Sequence, residues 1–160
     1  MIYLIGVDHM IQINNDRTPI KKQTIQRFRN YLNEKIKSLQ ITLLAEEFNE
    51  DALRGNSVEE SNLQAIARDA GIEHKFCDPG IEERRILGID NDNQKRECEW
   101  LKRITDSTDL KESNVIFLCG STHLQSFKTL VRESGFQVKI IYDGWGAELN
   151  SSEHFLQYPE

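Results

Sequence analysis

Residues 115–123 read VIFLCGSTH, a continuous apolar run followed at once by a glycine and, three residues later, a histidine. Such a run is typical of a strand that is buried on both faces of a sheet. Residues 2–9, IYLIGVDH, repeat this order, with Gly6 and His9 at the end of the run. Because ligands in open α/β sheets bind at the carboxyl ends of the strands, the two Gly-x-x-His segments are the first candidates for a functional site.

Extended and helical patterns alternate along the rest of the chain. Further extended runs are predicted at residues 41–48, 72–77 and 136–142. Apolar residues recur at helical spacing over residues 25–39, 63–70, 94–105 and 124–131. The run at 72–77 is less apolar than the others, so we expect this strand at an edge of the sheet.

This alternation predicts a single α/β domain over residues 1–160. We expect a three-layer, Rossmann-like parallel sheet of about five strands, with helices on both faces. If the first strand is central, right-handed crossovers give the strand order 3-2-1-4-5. Residues 81–93 receive no assignment, and residues 143–160 are interpreted as a polar tail.

Composition and charge narrow the function classes. The 160 residues carry a formal net charge of -6, so the protein as a whole does not attract a phosphate backbone. A nucleic-acid partner is therefore not favoured. No apolar run approaches the roughly 20 residues that span a bilayer, and we see no signal-peptide pattern. Cys77, Cys98 and Cys119 form no CxxC pair. We therefore expect a cytoplasmic protein without a membrane partner.

The predicted topology brings the ends of the first and fourth strands side by side. His9 and His123 follow these strands, and Glu46 and Glu47 end the second one. Two imidazoles and a carboxylate are a usual ligand set for a divalent metal with open coordination positions. We expect His9, His123 and Glu46 to hold such an ion or to activate water directly, with Glu47 as a candidate general base.

The second motif also suits an anion. Gly120, Ser121 and Thr122 stand at the predicted start of a helix, where free backbone N–H groups favour negative charge. Arg96 is a candidate to clamp an anionic group, although a solvated arginine is the ordinary alternative. A strand-terminal histidine is likewise often a structural, hydrogen-bonded residue. His74 and His154 are interpreted as incidental.

These motifs resemble those of a known superfamily. The segments GVDH (6–9), LLAEEFNE (43–50) and LCGSTHL (118–124) look like the signatures that TraB/PrgY and Tiki proteins share with ChaN haem-binding proteins and erythromycin esterases. The histidines of the two Gly-x-x-His motifs match His9 and His123. Glu46 matches the strand-terminal glutamate between them, because Phe48 then stands where the family often has an aromatic residue.

A looser match and two departures accompany this resemblance. Arg96 and Glu97 resemble an arginine–acid pair that heads a later helix in several members. Asp8 stands where threonine or glutamate often precedes the histidine. The chain is also too short for the helical insertions that build substrate pockets in larger members, which argues against a large substrate.

The resemblance implies a small metal-dependent hydrolase that cleaves an ester, amide or peptide bond of a small molecule or short peptide. An alternative is a non-enzymatic domain that binds haem or a nucleotide-like anion, with the histidines as axial ligands or polar clamps. A third is an α/β interaction module whose histidines are structural. The sequence leaves homo-oligomer formation, the substrate and the metal open.

Overall fold

A computed structural model describes residues 1–15 and 18–149. Five parallel strands form one sheet, namely β1 (Ile2–Val7), β2 (Ile41–Glu46), β3 (Glu73–Phe76), β4 (Asn114–Gly120) and β5 (Val138–Trp145). The helices are α1 (Pro19–Ser38), α2 (Glu50–Gly55), α3 (Asn62–Ala70), α4 (Ile81–Leu87), α5 (Asn93–Ser107) and α6 (Leu124–Glu133). Short 3-10 turns follow β1 at His9–Ile11 and β4 at Ser121–His123. The predicted α/β, Rossmann-like sheet is confirmed.

The strand order is β3-β2-β4-β1-β5, which exchanges β1 and β4 relative to the predicted order. Both strands are apolar enough for the centre; β4 takes it, between β2 and β1, and is buried there over six consecutive residues. β1 instead lies beside the edge strand β5. The two strands remain neighbours, and Val7 at the end of β1 lies opposite Gly120 at the end of β4. The expectation that the two motifs meet is therefore confirmed, and β3 is an edge strand as predicted.

Helices cover both faces of the sheet. The chain moves towards β3 after β1 and β2, and back towards β5 after β3 and β4, so right-handed crossovers place the helices on opposite faces. On one face, Phe28 of α1 and Leu63 of α3 pack against the sheet. On the other, Trp100 of α5 and Phe127 of α6 pack on Phe117 of β4. Within the described residues, no helix has the length and apolar character to cross a bilayer.

The first residues of the predicted polar tail, 143–149, belong to the folded domain. β5 continues to Trp145, and Leu149 is buried in the cluster beneath α1. The reason is that Trp145 contacts the rings of Phe28 and Tyr31 on α1, which holds this part of the chain against the core. The remainder of the predicted tail, residues 150–160, lies outside the described residues.

The unassigned segment 81–93 contains α4, a helix without a buried side chain in the described structure. Its first N–H group is capped from another helix. The Oδ2 atom of Asp51, in α2, accepts a hydrogen bond from the backbone N–H of Ile81 at 2.8 Å. Gly80 leaves room for this contact, since a Cβ atom there would lie 2.5 Å from Asp51 Oδ2. Asp51 therefore ties α4 to α2.

We expect Asp51→Ala to loosen α4 without unfolding the sheet. The Ile81 N–H, and then Arg54, lower the pKa of Asp51 below its ordinary value of 3.8, so the cap is intact at neutral pH and is lost as the pH falls below that value. Amide hydrogen exchange should become faster in α4 and stay slow in β4. The control is Glu50→Ala, which removes an exposed carboxylate from α2, the helix that contains Asp51. Equal exchange rates in both variants would contradict this role for Asp51.

Candidate active site

The two histidines of the Gly-x-x-His motifs lie at the same edge of the sheet. His9 begins the turn after β1, and His123 ends the turn after β4. Their surroundings differ, because the His9 side chain is 55% exposed and that of His123 only 13%. His9 can therefore meet a ligand from solvent, whereas His123 is held inside the protein.

Each histidine is anchored through Nδ1. His123 Nδ1 lies 2.8 Å from Oε1 of Glu97, which also accepts a hydrogen bond from the Ser126 hydroxyl at 2.6 Å. An ionised carboxylate only accepts hydrogen bonds, so Nδ1 of His123 carries the hydrogen. His9 Nδ1 lies 2.7 Å from Oε1 of Gln12. In both rings Nε2 is the nitrogen left for the site.

Glu47 is the carboxylate that these two Nε2 atoms face. Its Oε1 lies 3.7 Å from His123 Nε2, and its Oε2 lies 4.0 Å from His9 Nε2. Two donors hold it in place: Arg96 Nη2 donates to Oε1 at 3.0 Å and the Gly120 N–H donates to Oε2 at 2.8 Å. Glu47 is thus a buried carboxylate shared by both motifs.

Glu46, the residue chosen from the sequence, lies elsewhere. Neighbouring residues of a strand point to opposite faces of the sheet, and Glu46 points towards α3. Its fully buried carboxylate accepts hydrogen bonds from Ser61, which caps α3, from His74 Nε2 at 2.8 Å and from Gln12 Nε2 at 2.8 Å. The structure brings Glu47, and not Glu46, together with His9 and His123.

Arg96 is occupied by carboxylates of the protein itself. Besides Glu47, it donates two hydrogen bonds to Oδ1 of Asp78, from Nε at 3.1 Å and from Nη2 at 2.9 Å. Trp100 Nε1 donates to the same oxygen at 3.0 Å, and Arg84 binds the other carboxylate oxygen. Arg96 therefore orients Glu47, and the structure does not present it as an open clamp for an anion.

The first three residues of the second motif line an open cleft. It has a volume of about 430 Å³, and its wall includes His9, Gly120, Ser121 and Thr122. The turn that begins at Ser121 has no side-chain cap within the described structure. Ser121 and Thr122, which begin this turn, line the same cleft as the exposed imidazole. Anion binding at this position stays a prediction.

The charge around the site is mostly negative. Burial raises the pKa of Cys119 well above its ordinary value, and the charges of Glu47, Glu97 and Asp143 raise it further. Because the thiolate is the reactive form of cysteine, this residue stays an inert thiol beside the site. Cys77 is similar, since burial raises its pKa to about 12. The reactive groups at the site are thus imidazole and carboxylate.

The two motif glycines each make room for the site. A Cβ atom at Gly120 would lie 3.1 Å from His9 Nε2 and 3.6 Å from Glu47 Oε2. At Gly6 it would lie 2.5 Å from Leu124 Cδ1 and 2.9 Å from Ser121 Oγ, and closer still to Asp143. These close approaches explain why glycine stands at both positions.

Sequence reasoning missed several members of the site. Gln12 and Glu97 hold the histidines from three and 26 residues away. His74, interpreted as incidental, binds Glu46, while His154 lies outside the described residues. The sequence did contain a signal for Glu97, because it forms the arginine–acid pair with Arg96. Gln12 belongs to no motif that the sequence analysis recognised.

The distances between the side chains of the site do not by themselves indicate a metal centre. Among the residues that the structure describes, no group of three or more His, Cys, Asp or Glu side chains is placed to hold a metal ion. Comparisons with protein-family models, curated proteins and solved structures found no match for the chain. The resemblance to the TraB, ChaN and erythromycin esterase superfamily therefore rests on the motifs alone and stays a prediction.

Gly6→Ala should destabilise the fold, whereas Gly120→Ala should leave it nearly as stable as the wild type. The new methyl group at Gly6 meets packed side chains, and such overpacking costs about 1–3 kcal/mol. At Gly120 it meets the half-exposed ring of His9, which can move away. Denaturant unfolding measures both, with Gly55→Ala as control, since a Cβ there meets nothing within 4 Å. A Gly6→Ala protein as stable as the control would contradict the packing argument.

Proposed function

We propose that this cleft is a hydrolytic active site for an ester, amide or peptide bond of a small molecule or short peptide. One observation carries the proposal: Nε2 atoms from both motifs face the two oxygens of one buried carboxylate, Glu47, at 3.7 and 4.0 Å. A structural histidine needs one hydrogen-bond partner, and each of these rings already has it through Nδ1. The second nitrogen of each ring is therefore available for chemistry.

His9 is the general base in this proposal, because its ring lines the cleft. Its Nε2 takes a proton from a water molecule as the water oxygen attacks the carbonyl carbon of the substrate. Glu47 stabilises the resulting imidazolium across 4.0 Å. Arg96 and the Gly120 N–H keep Glu47 in position for this role.

The second motif receives the negative charge that develops on the carbonyl oxygen. Backbone N–H groups at Ser121 and Thr122 are suited to this oxyanion, as donors placed before the reaction cost no reorganisation during it. The intermediate then breaks its bond to the leaving group, which takes the proton back from His9 Nε2. On the buried side of the site, His123 Nε2 and the Arg96 guanidinium both face Oε1 of Glu47.

As an alternative to His9 as general base, we propose a divalent metal ion at the same atoms, since an Nε2 lone pair that binds a metal cannot also accept a proton. The donor chemistry fits: the ligands would be Nε2 of His9, Nε2 of His123 and the Glu47 carboxylate. Metal-bound histidines usually donate their other N–H to a carboxylate or carbonyl oxygen, as the Nδ1 contacts to Glu97 and Gln12 would allow. When bound, such an ion polarises a carbonyl or makes its water nucleophilic.

Removing the base or the carboxylate should abolish hydrolysis. We expect His9→Ala and Glu47→Gln each to lower the rate on p-nitrophenyl esters and short peptides by about 100-fold or more, the usual contribution of general base catalysis. Glu50→Gln, an exposed glutamate in α2, is the matched control and should keep the wild-type rate. Melting temperatures show whether each variant is folded. Wild-type hydrolysis by a folded His9→Ala protein would refute the catalytic assignment.

Metal and haem titrations test the cofactor independently of activity. We expect Zn²⁺ or Mn²⁺ added to chelator-treated protein to raise the melting temperature, and His123→Ala to remove the effect, because binding to the folded state alone stabilises it. An unchanged melting temperature in the wild type would contradict metal binding. The haem-binding alternative would be favoured if the wild-type protein showed no hydrolysis and gave a haem absorbance band that is lost in His9→Ala.

A further inference from the structure

A buried chain of hydrogen bonds connects His9 to the opposite side of the sheet. It runs from His9 Nδ1 to Gln12 Oε1 at 2.7 Å, and from Gln12 Nε2 to Glu46 Oε2 at 2.8 Å. His74 Nε2 then contacts Glu46 Oε1 at 2.8 Å. Gln12 and Glu46 are fully buried, so water cannot replace these partners.

The partners of Gln12 leave its amide group one orientation. The amide nitrogen faces the Glu46 carboxylate and, at 3.3 Å, the backbone carbonyl oxygen of Glu47. A carbonyl oxygen only accepts hydrogen bonds, and an amide nitrogen only donates them. A flipped amide would set its own oxygen against both acceptors and leave them buried without a donor, at a cost of about 1–3 kcal/mol for each group.

The orientation of Gln12 decides the tautomer of His9. With the nitrogen of the amide turned to Glu46 and Glu47, the oxygen faces His9 Nδ1. Because that oxygen only accepts, Nδ1 must carry the hydrogen in this contact. The neutral ring then has its lone pair on Nε2, the nitrogen that faces Glu47.

We propose that Gln12, oriented by Glu46, is a positioning residue that fixes His9 in the Nδ1–H tautomer. This inference rests on the proposed function, in which Nε2 of His9 accepts the proton from water. Glu46 has a defined task within it, since Ser61 and His74 hold its carboxylate where the Gln12 amide must donate. Glu46 thus acts on the site from the far face of the sheet, through Gln12.

A measurement of the His9 tautomer in the wild-type protein is enough to overturn the proposal. In protein labelled with ¹⁵N-histidine, at a pH well above the ordinary histidine pKa of about 6.5, nitrogen shifts and two-bond ¹H–¹⁵N couplings distinguish the two neutral tautomers. We expect the Nδ1–H pattern for His9 and also for His123. An Nε2–H pattern for His9 refutes the inference, whatever any variant does.

Two substitutions at position 12 separate positioning from packing. Gln12→Met keeps the size of the side chain but removes the acceptor, so the His9 signals should move towards the Nε2–H pattern. His123, held by Glu97, should keep its pattern in the same spectrum and is the internal control. Gln12→Glu retains an oxygen that accepts from Nδ1, and its second oxygen, protonated against the Glu46 carboxylate, replaces the amide donor, so this variant should preserve the wild-type pattern.

The rate of hydrolysis should follow the tautomer. We expect Gln12→Met to slow hydrolysis about 10–100-fold, as is usual when a partner behind a functional histidine is lost, and Gln12→Glu to recover most of that loss. A lower melting temperature with unchanged His9 signals in Gln12→Met would show a structural role only and would refute the proposal. The spectra need no substrate, so they report the tautomer of His9 even if the protein hydrolyses nothing. The proposed hydrolysis and the proposed tautomer can therefore fail independently of each other.

Discussion

Glu46 ends β2 and Glu47 follows it directly, and their side chains point to opposite faces of the sheet. Glu46 points towards α3 and Glu47 towards α5, and both are buried. A buried carboxylate is stable only if donors surround it, so each one requires its own set of partners. Those two sets of donors organise the carboxyl edge of the sheet.

The donors come from elements that the sheet would not otherwise bring together. Glu47 binds Arg96 of α5 and the backbone of β4, while Glu46 binds Ser61 at the start of α3 and Gln12 after β1. Arg96 is itself held by Asp78, which follows β3. The ends of four strands are therefore connected through charge-assisted hydrogen bonds, which are stronger than neutral ones. A proposed catalytic site benefits from this, because its carboxylate and imidazoles are fixed before a substrate arrives.

Much of this fold could be predicted because its signals are local. An apolar run indicates a buried strand wherever the strand lies, and the edge position of β3 followed from its polar residues. The exchange of β1 and β4 could not be predicted, since both strands are equally apolar and their order depends on packing across the whole sheet. The choice between Glu46 and Glu47 could not be made from the sequence for a related reason: it depends on which side chain faces α5, and Glu47 lies beyond the last residue of β2 that pairs with β4. Gln12 and Glu97 reach the histidines through turns and helix packing, which no sequence spacing reveals.

The glycines of the two Gly-x-x-His motifs have a physical explanation in the pairing of β1 with β4. Gly120, in the second motif, lacks the Cβ atom that would crowd Nε2 of His9, in the first. Gly6, in the first motif, lacks the one that would crowd Ser121 Oγ, in the second. Each glycine thus makes room for a residue of the other motif, and the two strands lie in the register that allows both. Substituting Gly6 would therefore be felt across the strand pair, so the two motifs form one structural unit although Val7 and Gly120 lie 113 positions apart in the chain.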